Sequence, residues 1–176
     1  MASPSKRSPS TVDPAGEFPY DVTTYVFHLF AVLGRHREAA LERAFRPLEL
    51  NLGRYRALSV VARLGPLGMS ELADFSAVDR TTMTRTVDQL VEGGLVVRET
   101  PPTDRRQVLL SITPAGRTAN VQALRAVYRV NRRALDGLGE EVQRQFARTQ
   151  QVMLANLVED AALARRLIEH TRDPPR

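Results

Sequence analysis

Apolar residues along this chain follow two rhythms, and the change between them marks its most informative stretch. From Asp21 onward, Val22, Tyr25, Val26, Leu29, Phe30 and Leu33 recur at three- and four-residue steps, the pattern of one face of an amphipathic helix. Asp21 suits the N-cap and Pro47 closes the pattern. A second helix is predicted over Leu52 to Leu64, with Tyr55, Leu58, Val61 and Ala62 inward and Gly65-Pro66 as its end. A short helix follows from a Ser70 N-cap and turns Leu72, Ala73 and Phe75 inward. Asp79 caps the next, Arg80 to about Glu92, which Gly93-Gly94 terminates because glycine accepts the left-handed geometry of a helix end.

The rhythm then changes. Leu95 to Arg98 and Val108 to Ile112 read as strands. The intervening ETPPTDRRQ is too polar and proline-rich for a ladder, so it forms the hairpin tip. Thr113-Pro114 restarts helix with a cap followed by proline at the first helical position. Ala119, Leu124, Val127, Tyr128, Ala134 and Leu135 carry that helix to Asp136, where Gly137 and Gly139 break it. Val142, Phe146, Thr149, Met153 and Leu157 set a further helical face, which either runs on or restarts to reach Ile168. No internal repeat is visible.

Helix, turn, helix and β-hairpin together make a winged helix-turn-helix, a module that places one helix in the DNA major groove. The predicted fold class is mainly α with a small β-wing, the winged lobe spanning residues 49–113. A module of this size cannot cover the long amphipathic segments on either side of it. Residues 20–48 are therefore assigned to an N-terminal dimerisation helix and 114–170 to C-terminal dimerisation helices, their apolar stripes packing across a two-fold axis. Residues 1–19 lack periodicity and are rich in Ser and Pro, which predicts a disordered tail, and 171–176 form a second tail.

Composition narrows the chemistry. The net charge is +5 and 43% of the 176 residues are hydrophobic, which together suit a packed core and an anionic partner. Lys6 is the only lysine, so arginine carries almost all the positive charge and its placement matters more than its amount. With no cysteine there is no disulfide, thiolate metal site or thiol redox switch. His28 and His36 stand eight residues apart, two helical turns, which is too far for one metal ion. No metal or cofactor is expected. No apolar run approaches the ~20 residues that span a bilayer, and no signal segment precedes the first helix, so a cytoplasmic protein is expected. A nucleophile elbow, phosphate-binding glycine loop or acid/base pair is not apparent, so no enzyme is expected.

At 3.6 residues per turn, Arg80 to Glu92 divides into two sides. Met83, Val87, Leu90 and Val91 share one, while Thr81, Thr82, Arg85 and Gln89 fall on the other. Hydroxyl, guanidinium and amide groups facing outward are what groove reading needs, and Arg85 suits a bidentate contact to guanine that contributes ~1–3 kcal/mol of discrimination. Asp88 leans to the same side, where it would repel phosphate, so it is expected to orient an arginine. The candidate DNA-contacting set is Ser70, Arg80, Thr81, Thr82, Thr84, Arg85, Gln89, Arg98, Arg105 and Arg106. Asp104 would fix the direction of the wing arginines, which suit a narrow minor groove.

A helix-turn-helix ending in TMTRTVDQLVEGGLVVRE, followed by PPTDRRQVLLSITPAGR, resembles the MarR family of bacterial transcriptional regulators. The family's wing carries an Asp-x-Arg element, matched by Asp104 and Arg106, and a Thr-x-x-Gly start to the next helix, matched by Thr113 and Gly116. The detailed match covers about Ser70 to Arg117, and the flanking helices agree in order and length. The resemblance implies a homodimer on a pseudo-palindromic operator of double-stranded DNA, with Arg80–Glu92 in the major groove and the Arg106 wing in the minor groove. It also implies a small aromatic or anionic effector, for which Tyr25, His28 and Tyr55 are the pocket candidates by position. The function expected is that of a ligand-responsive repressor. Two alternatives stay open: a non-sequence-specific basic DNA binder without effector, and a winged-helix module that docks a protein partner.

Overall fold

The structure, a computed structural model, describes residues 22–76, 80–101 and 107–172. Its elements are α1 (Val22–Phe45), α2 (Leu52–Leu64), β1 (Leu67–Gly68), α3 (Met69–Ser76), α4 (Arg80–Glu92), β2 (Val96–Glu99), β3 (Leu109–Ile112), α5 (Pro114–Ala134), α6 (Glu140–Leu157) and α7 (Ala161–Arg172). A 3-10 turn, Arg46–Leu48, follows α1 at the proline that the sequence marks as its end. The chain forms two compact units, residues 1–36 and 37–176. The described part of the first is the N-terminal portion of α1, where Tyr25, Phe27, Leu29 and Leu33 are exposed. The rings of Phe27 and Phe30 lie 6.4 Å apart within it.

Helix α2 organises the second unit. Its start is fixed twice: Asn51 Oδ1 accepts from the Arg54 N–H at 2.8 Å, and the Glu42 carboxylate accepts from the Leu52 N–H at 2.9 Å. Two of the donors left unpaired at a helix start are satisfied in this way. Ala57, Leu58, Val60 and Val61 then enter one apolar cluster with Leu67, Leu72, Met83, Val87, Leu90, Val96 and Leu110. Leu52 enters a second, with Leu41, Phe45, Leu50, Ala123 and Ala126. Tyr55, expected inward, is half-buried because its ring lies against Phe45, 4.9 Å between centroids, at the margin of that second cluster.

The sheet has three antiparallel strands in the order β1-β3-β2. Leu110, in the middle, opposes Leu67 on one side and Arg98 on the other. Strand β1 was not expected. Helix α3 starts at Met69, directly after the strand, so Ser70 lies inside the helix rather than at its N-cap. The N-cap candidates Asp21 and Asp79 lie outside the described residues, as do the tails 1–19 and 173–176.

Helix α5 starts as its sequence predicts. Thr113 is extended at the N-cap, Pro114 follows, and Thr113 Oγ1 accepts from the Gly116 N–H at 2.9 Å. The same hydroxyl donates to the Gly94 carbonyl at 2.7 Å, tying α5 to the end of α4. Gly116 permits this approach, since a Cβ there would stand 2.0 Å from the Leu95 carbonyl oxygen. The face that α5 buries is made of small residues, Gly116, Asn120, Ala123 and Ala126. Its large side chains, Leu124 and Tyr128, are exposed.

The C-terminal pattern restarts rather than running on. Helix α6 ends at Leu157, and Asp160 caps α7 by accepting from the Ala162 and Leu163 N–H groups at 2.8 and 3.1 Å. No residue of α6 is buried, and among the described residues of α7 only Ala164 is. No described helix is long and apolar enough to cross a membrane.

Candidate nucleic-acid interface

Packing decides which side of α4 faces out. Met83, Val87 and Leu90 are fully buried, Thr86 is buried between them, and Val91 is half-buried. With that face against α2 and the sheet, Thr82, Thr84 and Arg85 are exposed and Gln89 is half-buried on the far side. Burial of Met83, Val87 and Leu90 against exposure of Thr82 and Arg85 follows the division read from the sequence, whereas Gln89 and Val91 are alike half-buried. Arg85 extends into solvent with no described residue paired to it. The side chains of Arg80 and Thr81 lie outside the described residues.

Helix α3 adds a hydroxyl beside this face. Met69, Ser70 and Ala73 line a shallow cleft of about 260 Å³ with Met83 and Thr84 of α4, bringing Ser70 and Thr84 to one opening. From the sheet, Arg98 reaches the same side of α4 at Asp88, one turn beyond Thr84. Its guanidinium donates to Asp88 Oδ1 at 2.6 Å, so the carboxylate that faces outward on α4 is held by a strand arginine. The expected role of Asp88, orienting an arginine rather than meeting phosphate, corresponds to this contact. Both partners remain partly exposed, which leaves the guanidinium accessible from solvent.

The wing is described up to Pro101 and again from Gln107; Asp104, Arg105 and Arg106 lie outside the described residues. At its base, Ser111 Oγ donates to Glu99 across the two strands at 2.6 Å. In the strand register Val96 stands against Ile112 and Glu99 against Leu109.

The effector candidates fall in different units. Tyr25 and His28 are exposed on α1 in the first. Tyr55, in the second, is held against Phe45. Among the described residues no group of three or more His, Asp or Glu is placed to hold a metal ion. Two contacts escaped sequence reasoning because they join residues more than ninety positions apart: Arg37 Nε donates to Asn131 Oδ1 at 2.9 Å, and Arg166 pairs with Glu71.

Comparison with known proteins agrees with this geometry. Residues 50–108, from the start of α2 to the return strand of the wing, match the model of the MarR family. The HTH-type transcriptional repressor NicR of Pseudomonas putida is 30% identical over 112 residues, 64% of this chain and 71% of that protein. The HTH-type transcriptional repressor IacR, also of Pseudomonas putida, is 28% identical over 163 residues, 89% of this chain and 93% of its own length. Among solved structures, CouR from Rhodococcus jostii RHA1 bound to p-coumaroyl-CoA superposes with a TM-score of 0.68 at 26% identity, covering 76% of this chain and 94% of that one. The chain belongs to the MarR family of DNA-binding transcriptional regulators.

Proposed function

We propose that this regulator is a homodimeric, ligand-responsive repressor that binds a pseudo-palindromic operator. The observation that carries the reading is the outward face of α4, where Thr82, Thr84 and Arg85 are exposed on a helix whose opposite side is fully packed. Such a helix has its backbone fixed by the packed side and presents hydroxyl and guanidinium donors towards base edges. In this reading Arg85 contacts a guanine, and Ser70, Thr84 and Arg98 contact the backbone or flanking bases. At the wing tip Asp104 orients Arg105 and Arg106, and these arginines enter the minor groove.

Dimerisation is supported by apolar side chains that the chain leaves uncovered. Residues 20–48 and 114–170 serve as the dimerisation helices and 49–113 as the DNA-reading lobe. The large exposed groups on α5 and α6 supply the contact. An effector is supported by the solved relative that holds an aromatic thioester, p-coumaroyl-CoA. A small aromatic or anionic ligand would act by favouring a dimer whose two α4 helices have the wrong separation. Relatives named as repressors support the sign of regulation. The work is DNA binding in the cytoplasm and requires no catalysis.

The test is selection of bound sequences from a random DNA pool with the full-length chain, followed by footprinting. The expected product is a palindromic motif with half-sites about one helical turn (~34–36 Å) apart. No enriched motif, or enrichment of a lone half-site, would overturn the dimeric operator reading.

A further inference from the structure

The C-terminal helix reaches the reading lobe through Arg166. On α7, Arg166 pairs with the Glu71 carboxylate of α3 and its guanidinium carbon stands 4.9 Å from the centre of the Phe75 ring. Glu71 and Phe75 are four residues apart, so a single guanidinium lies along one flank of α3 and meets it twice, once by charge and once over an aromatic face. On a helical projection Met69, Ser70 and Ala73, which line the cleft with α4, lie on the other flank of α3. Leu72 and Ser76 point between them into the lobe. Helix α3 is therefore held from α4 on one side and from α7 on the other.

Helix α7 is itself seated. Ala164 is buried, and Ala155, Val158, Ala161, Ala164 and Ile168 line the junction with α6. A continuous series of contacts runs from the C-terminal helices through Arg166 to α3 and from α3 to α4. The ion pair is half-exposed, and pairs of that kind contribute little to global stability. It sits on the outer flank of an eight-residue helix whose Leu72 and Ser76 are buried and whose Met69, Ala73 and Phe75 pack partly exposed against the lobe core.

We propose that Arg166 is a positioning residue for DNA reading: acting through Glu71 and Phe75, it sets α3 and hence the angle at which α4 is presented. The proposal rests on the DNA-binding reading above. It makes the α6–α7 pair an input to the lobe, so any change that shifts α7 changes the operator the protein prefers.

Full-length Arg166→Gln, Glu71→Gln and the double variant test it, with Arg166→Lys as the conservative control. Amide hydrogen exchange of α3 in the DNA-free protein is expected to rise about three- to tenfold in each Gln variant. Operator affinity is expected to fall about two- to fivefold, with tolerance for half-sites spaced one base pair closer or farther. Arg166→Lys should recover part of both losses. The double variant should be no worse than the more affected single, because both remove the same contact. Unchanged α3 exchange in both singles would overturn the contact, as would losses that simply add. Faster exchange with unchanged affinity and spacing would overturn the positioning role alone. Absence of any preferred operator for the wild-type chain would overturn the DNA reading itself, and this role with it.

Discussion

The winged lobe and the helical ends of this protein handle their large apolar side chains in opposite ways. In the lobe, Leu58, Leu72, Met83, Leu90 and Leu110 are fully buried by elements that lie close together in sequence. In the C-terminal helices, Tyr128, Val152 and Leu157 are 63%, 60% and 69% exposed, and the face that α5 buries against its own chain consists of small residues. Scattered exposed leucines are ordinary on protein surfaces, but rows of large apolar groups on successive helices mark a binding surface. The lobe is complete by itself. The ends leave large apolar groups uncovered by their own chain, and in the proposed dimer the second copy covers them.

The largest effect should come from the complete half. Leu90→Ala empties a fully buried position among Met83, Val87 and the sheet, and is expected to cost about 2–5 kcal/mol. Urea unfolding followed by circular dichroism measures it. A loss under about 1 kcal/mol would mean that the lobe core collapses around the gap and is less self-sufficient than its burial implies.

The next test targets the incomplete half. Val121, Leu124, Arg125, Tyr128 and Arg129 line an open depression on α5. Replacing Leu124 and Tyr128 together by Ser removes exposed apolar area, so folding of the isolated subunit should change by no more than about 0.5 kcal/mol. Association should weaken by about 2 kcal/mol or more if this face is the dimer contact. Sedimentation equilibrium separates the two. An unaltered association constant would break the comparison, because the exposed face would then have no partner in the homodimer.

What was legible beforehand follows the same boundary. The lobe could be read because its burial follows local periodicity: Met83, Val87 and Leu90 recur at the helical step, and Thr113, Pro114 and Gly116 spell a helix start. The carboxylate of Asp88 was assigned to an arginine by its position on the outward side of α4, and Arg98 holds it. Strand β1 was invisible because two residues, Leu67 and Gly68, cannot display a two-residue alternation. The buried face of α5 was invisible for another reason: Gly116, Asn120, Ala123 and Ala126 carry little hydropathy contrast, and what they provide is close approach rather than apolar area. Arg166 on Glu71 and Arg37 on Asn131 are products of tertiary geometry, with no signal in any local window.

Within the lobe itself, the outward face of α4 should behave unlike its inward face. Arg85→Ala removes an exposed side chain with no described partner, so stability should stay within about 0.5 kcal/mol of wild type. Operator binding should lose about 1–3 kcal/mol, concentrated at one base position in each half-site. Affinities for a panel of singly substituted operators measure this. A uniform loss across all positions would assign Arg85 to phosphate rather than to a base.

The smallest effect, and the most discriminating about how the lobe presents its charges, belongs to Asp88. Its carboxylate both holds Arg98 and places negative charge on the outward side of α4, which faces DNA in the proposed reading. Asp88→Asn weakens the first function and removes the second, and for a pair this exposed each is worth no more than about 1 kcal/mol. The two functions predict different observables. Loss of repulsion tightens binding to any DNA, whereas loss of orientation affects only the operator where Arg98 meets a flanking base. The expected outcome is therefore a modest gain, about two- to fivefold, on scrambled DNA with little gain on the operator, so that the specificity ratio falls. Titrations of both DNAs at several salt concentrations separate these contributions. If operator and scrambled DNA tighten equally, Asp88 is only a charge, and Arg98 finds its place without it.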